Sequence, residues 1–106
     1  MGEIETQIKN IIQAELNGNL EISNLHGVDL KRCLVEPYRE IFENSFNESE
    51  LMDLFVVLKE DPENDSGYQI VYDSQRGKFG LSIAGKGIHR VFLGYYGSFL
   101  ETLEGM

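Results

Sequence analysis

Apolar residues recur at spacings of three and four over residues 3–17. Ile4, Ile8, Ile11, Ile12 and Leu16 form one stripe there, and that period predicts a helix. Glu3 and Glu5 favour its positive N-terminal end, and Gly18 stands where a left-handed C-terminal cap is common. Isoleucine slightly lowers helix propensity, so packing has to hold the segment in place. The pattern fades over residues 20–36. Leu20, Ile22 and Leu25 fit a short edge strand with His26-Gly27 turning the chain, and Leu30–Val35 fits either a helical turn or a strand. Pro37 pushes Glu36 into an extended conformation, so any helix ends there.

From residue 38 to 96 the period is mostly two. Tyr38–Glu43 predicts a strand and Asn44–Glu50 a polar turn. Residues 51–59 admit two readings. Met52, Leu54, Val56 and Leu58 alternate as on a strand, whereas Leu51, Leu54, Phe55 and Leu58 fit a helix opened by an Asn47/Glu50 capping box. The β-prone triplet Phe55-Val56-Val57 decides for the strand. Residues 61–67 are a loop by composition. Tyr68–Asp73 and Lys78–Ala84 make a hairpin in which Gly77 supplies positive φ. The second of these strands has one face of Gly80, Ser82 and Ala84, small enough for a helix or a large aromatic to lie close. Gly85-Lys86-Gly87 turns the chain into a strand over Ile88–Tyr96. Ser98 and Glu101 then form a capping box for a short helix whose Phe99, Leu103 and Met106 share a face and must dock. The expected fold is α+β in a single domain, 1–106. It comprises an N-terminal helix, an antiparallel β-meander of four to six strands, and a short C-terminal helix packed on the sheet.

Charge divides the chain more sharply than hydropathy does. Residues 1–66 hold 15 acids against 5 bases, residues 67–106 hold 3 against 4, and the chain as a whole carries −9. Such a balance disfavours nucleic acid and anionic membranes as partners, since both need clustered Lys and Arg. No apolar run approaches the roughly 20 residues that span a bilayer. The first residues lack a basic leader followed by an apolar run, and the single Cys33 fits a reducing compartment, so the cytoplasm is the expected location.

Motifs that could carry chemistry lack their required context. Gly80–Lys86 matches G-x4-G-K, but Gly87 follows where Ser or Thr should hold magnesium, and the segment reads as a hairpin. Asp61, Glu63 and Asp65 alternate like a calcium loop, yet Gly67 is one place late and Tyr72 occupies the position of the bidentate Glu. Cys33, Ser98, His26 and His89 are the residues a small hydrolase would use, and no spacing joins them into a triad. Asn47-Glu48-Ser49 fits a glycosylation sequon that is inert without a secretory route. No enzyme activity, cofactor or metal is expected.

What remains is binding by charge. Expected contact residues are the loop acids Asp61, Glu63 and Asp65 and a second group, Glu43, Glu48, Glu50 and Asp53. Tyr38 and Tyr68 stand as aromatic anchors. The segments Tyr68–Asp73, Phe79-Gly80-Leu81 and Phe92–Met106, about 40 residues, resemble the C-terminal half of small bacterial immunity proteins of polymorphic toxins. That resemblance implies a cytoplasmic inhibitor that blocks a toxin domain by direct contact; a basic nuclease would suit the charge, and the protein itself is expected to be a monomer or homodimer. The competing readings are a structural or oligomerisation domain without a heterologous partner and, further off, the small hydrolase.

Overall fold

The computed structural model describes residues 2–19, 21–22, 27–84 and 89–106, with the backbone alone of residues 48 and 49. Helix α1 (Glu3–Leu16) is followed by one helical turn, α2 (Leu30–Cys33). Five strands come next, β1 (Leu34–Asn44), β2 (Asn47–Asp61), β3 (Ser66–Asp73), β4 (Lys78–Ile83) and β5 (Arg90–Gly97), and then α3 (Phe99–Gly105). The α+β meander between two terminal helices is thus the fold that the periodicity predicts.

The meander closes into a barrel in the order β1-β2-β3-β4-β5. Neighbours in the meander run antiparallel, so the first and fifth strands point the same way and the closing pair must be parallel. That seam joins Phe42–Asn44 to Arg90–Phe92. Closure encloses the inner face of the sheet, and the helices pack on part of the outer one. The larger core unites Ile8, Ile12 and Leu16 of α1, Leu30 and Cys33 of α2, and Phe99 and Leu103 of α3 with Phe55, Val57, Ile70, Phe79 and Leu81 of the sheet. The smaller core contains Phe42, Leu54, Val56, Val71 and Phe92, all from strands. No described helix covers it, so the strands themselves must; it fills the barrel. The central run of β2, Leu54–Leu58, is therefore buried on both faces, which is why its alternation looked ambiguous.

Several local expectations need correction. The polar turn over residues 44–50 shrinks to Ser45-Phe46, with Asn44 and Asn47 paired across it and β2 already begun. The side chain of Asn44 accepts the Phe46 N–H at 3.0 Å, and Ser45 N–H donates to the Phe92 carbonyl at 3.1 Å. These bonds let a polar stretch pair as strand. Residues 30–35 combine both readings, a helical turn capped by Asp29 and then the start of β1. Pro37 ends no helix. It lies inside β1 where the register shifts between Leu34 and Tyr38, a place where a missing N–H breaks no ladder bond. Of the isoleucine stripe, Ile8, Ile12 and Leu16 are buried while Ile4 and Ile11 stay exposed. The expected edge strand at 20–25 and the turns at His26-Gly27 and 85–87 fall largely outside the described residues; Ile22 packs against the larger core.

Gly80 answers the small-face expectation directly. A Cβ there would sit 2.3 Å from the Gly94 carbonyl and 2.7 Å from the Phe92 ring, so the aromatic lies where a side chain would be. At the C-terminal end, Ser98 and Glu101 form the expected capping box. The Phe99 and Leu100 N–H groups donate to the Glu15 carboxylate at 3.1 and 3.0 Å. An acid in the last turn of α1 opposes that helix's own dipole but suits the N-terminus of α3 lying beside it.

Asp73 closes the β3–β4 turn, accepting N–H bonds from Gln75 and Arg76 and the hydroxyl of Tyr95. Burial first, and then the bond to Asp73, push the Tyr95 phenol up to about 12. An unfolded chain releases this proton near pH 10. The contribution to stability is therefore complete below about pH 10 and is lost as pH rises through the folded value. Urea midpoints should fall between about pH 10 and 12, and Tyr95→Phe should flatten this alkaline limb. An unchanged slope in that variant would assign the limb to other groups.

Candidate functional site

Nine residues were expected to meet a partner, and the fold separates them into two regions. Asp61, Glu63 and Asp65 surround the β2–β3 turn, whereas Glu43, Glu50 and Asp53 belong to the β1–β2 hairpin. Strand β2 runs between the two groups in a molecule 39 Å long, so they occupy opposite ends of one strand. Glu48 has its backbone in β2, and its side chain lies outside the description.

The turn acids are occupied within the molecule. Asp61 accepts bonds from the Asn64 side chain at 2.9 Å and the Ser66 hydroxyl at 3.2 Å, and these hold its carboxyl below the usual range. Glu63 pairs with Arg32 at 3.1 Å. Asp65 takes Lys59 and Arg90, each at 2.8 Å, and the Lys59 hydrogen bond leads in depressing its pKa. The alternating acids thus face three sets of partners, and no group of three potential ligands converges among the described residues. Arg90 also reaches Glu40 at 3.4 Å, tying β5, β1 and the turn together across one mouth of the barrel. Its Nη1 is enclosed and has no hydrogen-bond partner among the described residues. Tyr38 lies under the Lys59 ammonium, 5.4 Å from ring centre to nitrogen. Tyr68 is half-buried against the larger core, and its N–H donates to Glu60 at 3.0 Å.

The hairpin is different. In its register Ile41 opposes Asp53 and Glu43 opposes Leu51, so these four side chains share the outer face of the β1–β2 pair. Two apolar residues stand on one diagonal and two acids on the other. Leu51 is 58% exposed and Ile41 37%, while Phe46 at the turn is 81% exposed. Glu50 stands beside the turn, 3.5 Å from the Asn44 amide. Arg39 is held by Asp53. Among the described residues no ion pair engages Glu43 or Glu50, so this end keeps its negative charge. Sequence patterning had named the acids and missed the apolar partners. The signal was Phe46 inside the polar run Asn44–Glu50, and Leu51 out of phase with Met52, Leu54 and Val56.

The nucleophile candidates have structural uses. The Cys33 thiol donates to the Glu60 carbonyl at 3.5 Å, and burial pushes its pKa up. The Ser98 hydroxyl caps α3, and His26 lies outside the described residues. A cavity of about 270 Å³ lies between α1 and the start of β1, lined by Ile12, Leu34 and Pro37, with the Lys9–Glu36 pair at 3.0 Å beside it. No described helix is long and apolar enough to cross a membrane. No protein-family model, curated protein or solved structure matches this chain.

Proposed function

We propose that this protein works by binding a basic protein, as a cytoplasmic inhibitor of the immunity type that blocks a bacterial toxin domain by direct contact. The observation that carries the reading is the outer face of the β1–β2 hairpin, where exposed Ile41, Phe46 and Leu51 stand among Glu43, Glu50 and Asp53. Apolar side chains supply affinity once buried, and the carboxylates supply rate and orientation toward positive charge. The resemblance of residues 68–106 to immunity proteins supports the inhibitory role, and the net charge of −9 supports a basic target.

The test begins with the neighbouring gene. Where it encodes a large secreted protein with a variable C-terminus, that C-terminal domain should co-purify with this protein and lose its toxicity on co-expression. Association should slow by about 10-fold or more as salt rises from low to high, because surface charges beyond a Debye length are screened. Binding that is indifferent to salt would make the acidic surface a solubility device, and undiminished toxicity in a stable complex would remove the inhibitory role.

A further inference from the structure

We propose that the tip of the β1–β2 hairpin is a wedge that enters an apolar cleft rimmed by Lys and Arg on a different protein. Phe46 is the inserted anchor, and Glu43 and Glu50, which no ion pair engages among the described residues, meet the rim. The inference rests on the binding reading above and adds the surface, its shape and the chemistry opposite it. Phe46 is the most exposed of the large apolar side chains among the described residues, and it sits on the two-residue turn that joins β1 to β2. Its backbone is fixed. Its own N–H is held by Asn44, and the preceding Ser45 N–H is tied to β5 through the Phe92 carbonyl. The ring edge lies over Gly94, 3.9 Å from where a Cβ would be. A turn whose backbone is already fixed loses little conformational freedom on binding, which suits the exposed ring it carries to the role of an interface anchor.

Charge selects the occupant. A second copy docked about a two-fold axis would bring the same patch onto itself, setting Glu43 and Glu50 against their own equivalents. The Arg39 cation on this face is already bound to Asp53. Like charges brought together across an interface cost several kcal/mol, so a heterologous basic surface fits where self-association does not. A single ring 81% exposed at a turn calls for a concavity opposite. The turn acids Asp61, Glu63 and Asp65 take no part, since they are paired internally at the far end of β2.

The probe is heptakis(6-amino)-β-cyclodextrin, an apolar cavity of ring size with an ammonium rim, titrated against the labelled full chain by NMR. Unmodified β-cyclodextrin is the uncharged control. Shift changes should centre on residues 43–53, and the aminated host should bind about tenfold more tightly than the neutral one. Phe46→Ala should abolish saturable binding of both hosts while leaving the melting temperature unchanged. Glu43→Gln with Glu50→Gln should erase the difference between the hosts and keep the neutral affinity. Changes centred on Tyr38, Tyr96 or residues 61–65 would overturn the proposal, as would full affinity in Phe46→Ala. A concentration-dependent mass abolished by Phe46→Ala would give the surface to a second copy instead. Salt-sensitive capture of the basic neighbour that survives both variants would leave the binding reading intact and remove the hairpin as its surface.

Discussion

Phe99→Ala should cost about 3–5 kcal/mol in urea unfolding, the range for truncating a buried phenylalanine. Phe99 is fully buried in the larger core, and its ring meets Phe79 edge-on with centroids 5.8 Å apart. The helix that carries it has seven residues, too few to persist on local bonds alone, so its order depends on this docking. Truncation therefore removes the ring, leaves a cavity between α3 and the sheet, and loosens the N–H groups that Glu15 caps. Glu15→Gln, which keeps the shape and removes the charge, should cost far less, about 1 kcal/mol. A near-zero effect of Phe99→Ala would show that the C-terminal helix contributes nothing to the fold.

Phe42→Ala is expected to cost a similar amount, about 3–5 kcal/mol, for a different reason. Phe42 is fully buried inside the barrel, opposite Met52 on β2 and Arg90 on β5, and is one of five apolar side chains that fill the smaller core. No described helix reaches that core to fill the space left behind, and the strands around it are hydrogen-bonded to one another. The cavity therefore stays. Tyr38→Ala, on the same strand but 37% exposed, is the matched control and should cost much less. Equal losses for the two would mean that the inner core does not hold the barrel closed.

The comparison of sequence with structure divides along physical lines. Elements whose signal is local were legible: the isoleucine stripe of α1, the Gly77 turn with φ of 66°, and the Ser98–Glu101 box each depend on neighbours within a few residues. Barrel closure was not legible, because whether β1 meets β5 depends on sheet curvature and not on any local pattern. The same gap explains β2. Residues 54–58 are continuously apolar because closure buries one of their faces and the helices bury the other, and a one-dimensional pattern cannot tell that from a buried helix. In the candidate site, the acids were visible as composition. Their fates were not: Asp65 and Asp53 find cations through tertiary contact, while Glu43 keeps its charge free beside Leu51.

The parallel seam also sets how the chain reaches this state. The β3–β4 hairpin pairs six residues on each strand around a short turn, whereas β1 and β5 pair three each, from partners such as Phe42 and Arg90 that lie 48 positions apart. Closing a loop that long costs about 2 kcal/mol more than closing a four-residue turn, and three rungs return little of it until Phe42 and Phe92 pack together. The meander should therefore assemble hairpin by hairpin, with closure as the late and rate-limiting step, placing refolding in the millisecond-to-second range of non-local β topologies. Until that step the inner face lies open. Phe42, Leu54, Val56, Val71 and Phe92 then form a bare apolar sheet beside an unpaired β1 edge, and an acidic surface of net charge −9 keeps such open chains apart until the barrel shuts.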